Sequence, residues 1–341
     1  MKVLVCDEVF YELSMCDSEW SDYWATSKDQ VTTAINNRDG FEEYVTHPAF
    51  YGFSLDDEPY GKWISHMSYT ISALDDACAN LGVEDPFYLA CLFQAQGGEA
   101  GKEMYLLQSS LKSYYDKWLA IPGVQDQGYL YVDIYTQHAM DQPTNRYNTS
   151  FEVVYDDSYL GGKYDFYQAI TAHTQNDGVL TEQDMYMSLM YAAAHDVAGY
   201  SWFCYFPITG EMAGTMVGYD GNGYGNGVGN NVEEGKCFYD AAKKAAYQFE
   251  LIQGLLDGYD WQTREHNDSK NYLKTTLSNG TRTATMYVNA DVDGMSGTYT
   301  VTVSGECYLV GWDVGTAEVP YAPVSGSVTL QPGQAVICMG S

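Results

Sequence analysis

Basic residues are scarce in this chain: 16 lysines and arginines stand against 46 aspartates and glutamates, a formal net charge of -30 over 341 residues. Such a surface repels phosphate backbones and anionic membranes, which speaks against nucleic acid as a partner. Long apolar runs are missing too, so no segment reads as a bilayer span. The N-terminus lacks a charged stretch followed by an apolar one, the pattern of a secretory leader. That leaves the compartment open, secretion of a longer form included. The eight cysteines contain no Cys-x-x-Cys and the six histidines no His-x-x-x-His, so neither a catalytic zinc nor another cofactor is expected. No glycine fingerprint follows any apolar run, which argues against a dinucleotide-binding, doubly wound sheet.

What is present is enough apolar material, 45% of residues, to bury a sizeable core. The 32 tyrosines and 7 tryptophans supply flat apolar faces with polar tips, of the kind on which sugar rings stack. Most of them are expected to serve packing. Cys6, Cys91 and Cys204 fall in or at the ends of expected strands and read as buried thiols. Cys307 and Cys338 share the C-terminal region and could pair, although spacing alone cannot establish a bond.

Apolar runs that read as strands start near residues 3, 50, 87, 128, 164 and 199, with amphipathic helices between most of them. Lys2 to Glu8 reads as the first strand, and 27–44 as a helix weakened at Gly40. Ile64, Met67, Ile71, Leu74, Cys78 and Leu81 recur at steps of three or four, an unambiguous buried helical stripe. Residues 137–163 show no clean helical period. Six consecutive βα units predict a (β/α)8 TIM barrel over residues 1–260, lacking its first two units because the chain opens inside a strand. From about residue 261 the period changes to two. Tyr299, Val301 and Val303 alternate with threonines, and the runs 328–330 and 335–337 flank a Gln331-Pro-Gly-Gln334 turn, predicting a small all-β sandwich over 261–341.

One run carries the chemistry. Phe50-Tyr-Gly-Phe-Ser-Leu ends in Asp56, Asp57 and Glu58, and Pro59 then blocks further pairing. A buried parallel strand of this kind delivers carboxylates to the carboxyl edge of a sheet, where α/β proteins keep their sites. Glycosidic bonds are cleaved by two carboxyl groups, one protonating the leaving oxygen and the other attacking carbon or activating water. Glu58 fits the acid, since two neighbouring acids and a partly apolar strand end favour a protonated carboxyl. Three adjacent acids could equally form a solvated strand end or a cation site. Asp133, carried by the strand 129–135, is the best partner as base or nucleophile, and Glu8 a weaker one. Either could instead be a supporting carboxylate.

The run His47-Pro-Ala-Phe-Tyr-Gly-Phe, followed by Asp57-Glu-Pro59, resembles the fourth strand of β-galactosidase-like barrel glycoside hydrolases. Residues 181–206 resemble their seventh helix and eighth strand, and Tyr219-Asp-Gly with Tyr239-Asp-Ala-Ala-Lys-Lys their last loop and helix. The resemblance covers about residues 1–260 and implies a polysaccharide- or oligosaccharide-cleaving enzyme with Glu58 as acid/base. Where such retaining enzymes place a glutamate nucleophile, the matching run offers Gln168, His173 and Gln175 and no carboxylate. Trp63, Trp202, Tyr135 and Tyr205 are candidate stacking residues, and Gln94, Gln168 and His173 candidate hydroxyl partners. Gly52-Phe-Ser-Leu-Asp-Asp-Glu58 also partly resembles the strand-four signature of chitinase-like barrels, with Asp56 and Glu58 in substrate-assisted cleavage and Tyr131 or Tyr135 in support. There Ser54 replaces an aspartate of the signature. A noncatalytic carbohydrate-binding barrel is the alternative from another class. The loop 219–231 lacks the closing glutamate of a calcium loop, Asn231 standing in its place, and is read as a lid.

Overall fold

The structure, a computed structural model, describes residues 2–14, 25–59, 61, 64–92, 108–133, 165–171, 182–195, 197–203, 238–267, 272–290, 297–316 and 318–340. Two compact units partition the chain: one from residues 1–133 and 152–167, the other from 134–151 and 168–341. Among the described residues no helix is long and apolar enough to cross a membrane.

In the first unit β1 (Val3–Val5), β2 (Phe50–Asp57) and β3 (Phe87–Cys91) form a parallel sheet in that order. A parallel bridge between Leu92 and Val132 carries the pairing on to β4 (Tyr129–Asp133). Parallel neighbours need crossover connections, and here helices supply them. They are α1 (Glu8–Ser14), α2 (Lys28–Asn36) and α3 (Phe41–Val45) before β2, α4 (Met67–Asn80) before β3, and α5 (Gln108–Leu119) before β4. The stripe Met67, Ile71, Leu74 and Cys78 of α4 is buried as the periodicity predicts. An aromatic cluster fills the interior, Phe53 of β2 stacking on Phe41 and on Tyr88 and meeting Phe10 edge-on.

Two expectations for this unit fail for local reasons. The first strand stops at Val5, because the Asp7 carboxylate accepts the Val9 N–H at 3.0 Å and starts α1, so Glu8 lies exposed in a helix. Asp7 itself is buried, bonded to Arg38 Nε at 2.8 Å and to the Tyr44 hydroxyl at 3.0 Å. The helix expected over 27–44 is two helices, divided where Gly40 turns left-handed at φ 77°. Cys6 is also exposed rather than a buried thiol, and Cys91 is half-buried; Cys204 lies outside the described residues.

In the second unit β6 (Gly199–Phe203) follows α6 (Glu182–Ala194) and precedes α7 (Phe238–Leu256), while β5 (Asp165–Thr171) spans the residue at which the units divide. Helix α6 is buried along nearly its whole described length, which explains its lack of polar periodicity. Eight further strands follow: β7 (Asp260–Asn267), β8 (Tyr272–Ser278), β9 (Thr283–Asn289), β10 (Tyr299–Val303), β11 (Glu306–Gly311), β12 (Ala322–Pro323), β13 (Gly326–Leu330) and β14 (Gln334–Met339). Six of them make an antiparallel sheet in the order β12-β11-β14-β9-β8-β7, and β10 pairs with β13 in a second sheet. Val301, Val303, Val328, Leu330 and Val336 form their shared core. The Gln331–Gln334 turn therefore does not close a hairpin: it passes the chain from β13 in one sheet to β14 in the other. Its Gly333 has φ 77°, and a Cβ there would press on the backbone of Gln183 and Met187 in α6.

Cys307 and Cys338 lie directly opposite each other on β11 and β14, their Cα atoms 4.1 Å apart, and form a disulfide. The bond closes a loop between residues 31 apart, so its reduction should cost about 3–4 kcal/mol. We expect a Cys307→Ala/Cys338→Ala variant to melt lower than the oxidised wild type by that amount, and to show no further response to reductant. In the first unit Gly52 pairs with Phe87, and a Cβ there would fall within the Phe87 backbone. Gly52→Ala should thus lower stability by about 2–4 kcal/mol, read as a fall in the urea midpoint.

Candidate active site

Strand β2 ends in Asp57 and hands the chain to Glu58, whose backbone is left-handed at φ 54°. Glycine tolerates that conformation freely; for other residues it costs on the order of 1–3 kcal/mol and persists only where surrounding bonds over-determine it. Those bonds are present. Glu58 N–H donates to the Cys91 carbonyl at 2.7 Å, Leu92 N–H to Tyr131 at 2.9 Å, and Asp133 N–H to Leu92 at 3.1 Å, lacing the carboxyl ends of β2, β3 and β4 together. Beyond Glu58, the Tyr114 hydroxyl of α5 donates to the Pro59 carbonyl at 2.8 Å and Lys117 Nζ to the Gly61 carbonyl at 2.6 Å.

Three carboxyls and a thiol meet at this edge. Asp133 is 1% exposed, and its side chain is hydrogen-bonded to Glu58. Burial first, then that bond and the charges of Glu58 and Asp57, hold the Asp133 carboxyl well above the usual carboxylate range. Its Oδ1 is buried without a partner, an arrangement far less costly for a neutral carboxyl than for an ionised one. Asp57 is exposed at the strand end, yet partial burial, together with the Glu58 charge, pushes its carboxyl up to about 6, opposed by a hydrogen bond from the Cys91 thiol. Cys91 in turn is driven well up by burial and by Asp133, Asp57 and Glu58. It is held as a thiol, which is a donor and not a nucleophile. Asp56 is buried, and its Oδ1 accepts the Asp57 N–H at 2.8 Å.

The structure thus places Glu58, Asp57 and Asp133 at one carboxyl edge of the sheet. It adds two residues to them. Cys91 directly opposes Asp57 in the β2–β3 register, a pairing that sequence does not specify. Tyr11 of α1 is half-buried, and burial with the charges of Asp56 and Asp57 keeps its hydroxyl protonated and able to donate. Exposed on α1, Glu8 is not among the groups that act on Asp133. Trp202 lies in the second unit, half-buried, its ring edge-on to Tyr200, which packs on Phe249 of α7. Trp63, Gln94, Tyr135, His173 and Tyr205, the side chain of Gln168 and the loop 219–231 lie outside the described residues. Among the described residues no group of three or more His, Cys, Asp or Glu is arranged to hold a metal ion.

No protein-family profile matches the chain, and no curated protein matches its sequence. Among solved structures it is similar to a GH30 endoxylanase from Clostridium papyrosolvens, at 12% identity and a TM-score of 0.45, over 96% of this chain and 75% of that one. It is also similar to an alpha-amylase from H. orenii, at 11% identity and a TM-score of 0.46, over 89% of this chain and 65% of the amylase. A third is Eubacterium rectale Amy13B, at 12% identity and a TM-score of 0.48, over 92% of this chain and 62% of that one. The chain therefore spans a little under two thirds of the latter two proteins.

The Asp133 carboxyl makes a prediction about stability. Its folded value lies above the unfolded one of about 3.9, so its contribution is fully present below that pH and is lost as pH rises through the folded value. Asn at this position does not titrate. The melting temperature of Asp133→Asn minus that of wild type should therefore increase from about pH 4 upward; a difference independent of pH would contradict the assignment.

Proposed function

We propose that the chain is a glycoside hydrolase cleaving O-glycosidic bonds of a poly- or oligosaccharide, with Glu58 as the general acid. The observation that carries this reading is the convergence of Glu58 with Asp57 and Asp133 at the carboxyl edge of parallel strands, fixed by the bonds between their backbones. Glu58 is partly open to solvent while Asp133 is enclosed. A substrate approaching this edge therefore reaches Glu58 before Asp133, within reach of a leaving oxygen.

In this proposal residues 1–260 form the catalytic-type (β/α) barrel and residues 261–341 an ancillary β-sandwich. Trp63, Tyr135, Trp202 and Tyr205 would stack on sugar rings while Gln94, Gln168 and His173 bind hydroxyls. The exposed face of Asp57, with a carboxyl near 6, gives the edge a second titrating group in the range where such enzymes work.

The test is Glu58→Gln assayed on a panel of aryl glycosides and oligosaccharides. General acid catalysis of this kind contributes about 10²- to 10⁴-fold, so the variant should lose that much kcat/KM while melting at an unchanged temperature. A wild-type chain that binds sugars without cleaving them, with Glu58→Gln binding equally well, would instead identify a noncatalytic carbohydrate-binding protein.

A further inference from the structure

Within the second unit, helix α7 and the chain that joins β11 to β12 leave a groove of about 410 Å³ between them. Sites that hold small molecules run from about 300 to 1,000 Å³. Lys243, Tyr247, Glu250 and Leu251 line the groove from the helix, their spacing of i, i+4, i+7 and i+8 putting them on one face, and Glu318 and Pro320 line it from the opposite side. Both walls are fastened. The buried Gln248 donates to the Gly311 and Val314 carbonyls at 3.0 and 3.3 Å and accepts the Gly311 N–H at 3.0 Å, while Lys244 Nζ donates to the Trp312 carbonyl at 2.8 Å. Thr316 and Val319 close the turn that carries Glu318, Thr316 N–H donating to the Val319 carbonyl at 2.9 Å and Val319 N–H to the Thr316 hydroxyl at 3.2 Å.

The lining selects its occupant. Tyr247 is 42% exposed and presents a flat apolar ring, with Leu251 and Pro320 half-buried beside it. Lys243, Glu250 and Glu318 are exposed and supply one cationic donor and two anionic acceptors. A sugar ring answers both demands, since its C–H face stacks on an aromatic ring while its hydroxyls donate to carboxylates and accept from the ammonium. A phosphate or carboxylate ligand would meet two like charges against one opposite charge. A wholly apolar ligand would strip water from three charged groups and return no hydrogen bond. We propose that this groove binds rings of an uncharged oligosaccharide, at a site that shares no residue with the acidic edge of the first unit. The proposal goes beyond the hydrolase reading and does not depend on it, because a sugar can be held here whether or not the chain cleaves one. In a hydrolase, such a site tethers a long polysaccharide and raises the effective concentration of substrate.

The test uses the full chain carrying Glu58→Gln, so that bound sugar is not consumed, with and without Tyr247→Ala or Glu250→Ala. Each protein is titrated calorimetrically with maltohexaose, xylohexaose, cellohexaose and spermine, and its melting temperature, which a change at an exposed side chain should leave in place, is recorded alongside. With at least one hexaose, Tyr247→Ala should weaken a binding event about tenfold or more, through lost stacking and apolar contact, and Glu250→Ala should weaken the same event. Sugar binding indifferent to both substitutions, or no binding of any of the three sugars, overturns the proposal. Binding of spermine alone, lost in Tyr247→Ala, would overturn it in favour of a site for organic cations. The two readings fail separately. A wild type that cleaves no glycoside yet binds a hexaose through Tyr247 sinks the hydrolase and leaves the groove, whereas Glu58-dependent cleavage with binding unmoved by Tyr247→Ala does the reverse.

Discussion

Glu58 and Asp133 meet at the carboxyl ends of β2 and β4, where burial first, and then the neighbouring Glu58 and Asp57, hold the Asp133 carboxyl well above the usual carboxylate range. That contact depends on features remote in sequence. Strand β2 must be parallel to β3, β3 must reach β4 through the Leu92–Val132 bridge, and Glu58 must accept a left-handed backbone so that its side chain turns toward Asp133. The bond from Glu58 N–H to Cys91 and the two bonds from α5 to Pro59 and Gly61 provide that constraint. An acidic edge so built is not a solvated end of strand. One member is buried, one strained and one partly buried, and each of these conditions costs stability unless the rest of the fold supports it.

The two units solve their packing problems differently. In the first, parallel strands covered by helices place Phe53, Phe41, Phe10 and Tyr88 in one aromatic core beneath the acidic edge, with the Tyr88 hydroxyl bonded to Asp75 at 2.6 Å. In the second, α7 is tied to the antiparallel sheet by Gln248, fully buried, which both donates to and accepts from the backbone of Gly311 at 3.0 Å. Immediately after α6, His195 accepts at Nε2 from Arg264 at 3.1 Å, so that Nδ1–H is the donor to the Tyr191 carbonyl at 2.8 Å. That buried histidine is a cross-link between helix and strand.

Much of this could be read from residue order, where local physics decides the outcome. The run from Phe50 to Pro59 is a strand because apolar residues end abruptly in acids and a proline, and α4 is a helix because its apolar stripe has the right period. What escaped depends on partners far along the chain. Asp7 looked like the continuation of a strand, yet it caps α1 while Arg38 and Tyr44 neutralise it. The turn at Gln331 was legible as a turn, but alternation on both sides cannot reveal that β13 and β14 belong to different sheets. Asp133 was legible as a carboxylate on a strand, but its meeting with Glu58 and Asp57 follows from register and from the Glu58 backbone angle. Tyr11 and Cys91 were invisible as site residues for the same reason, as their meaning lies in facing Asp57 across strands.

The most direct measurement is a crystal structure of Glu58→Gln soaked with an oligosaccharide. The account predicts a glycosidic oxygen within about 3 Å of the residue 58 side chain. A sugar bound elsewhere would contradict it.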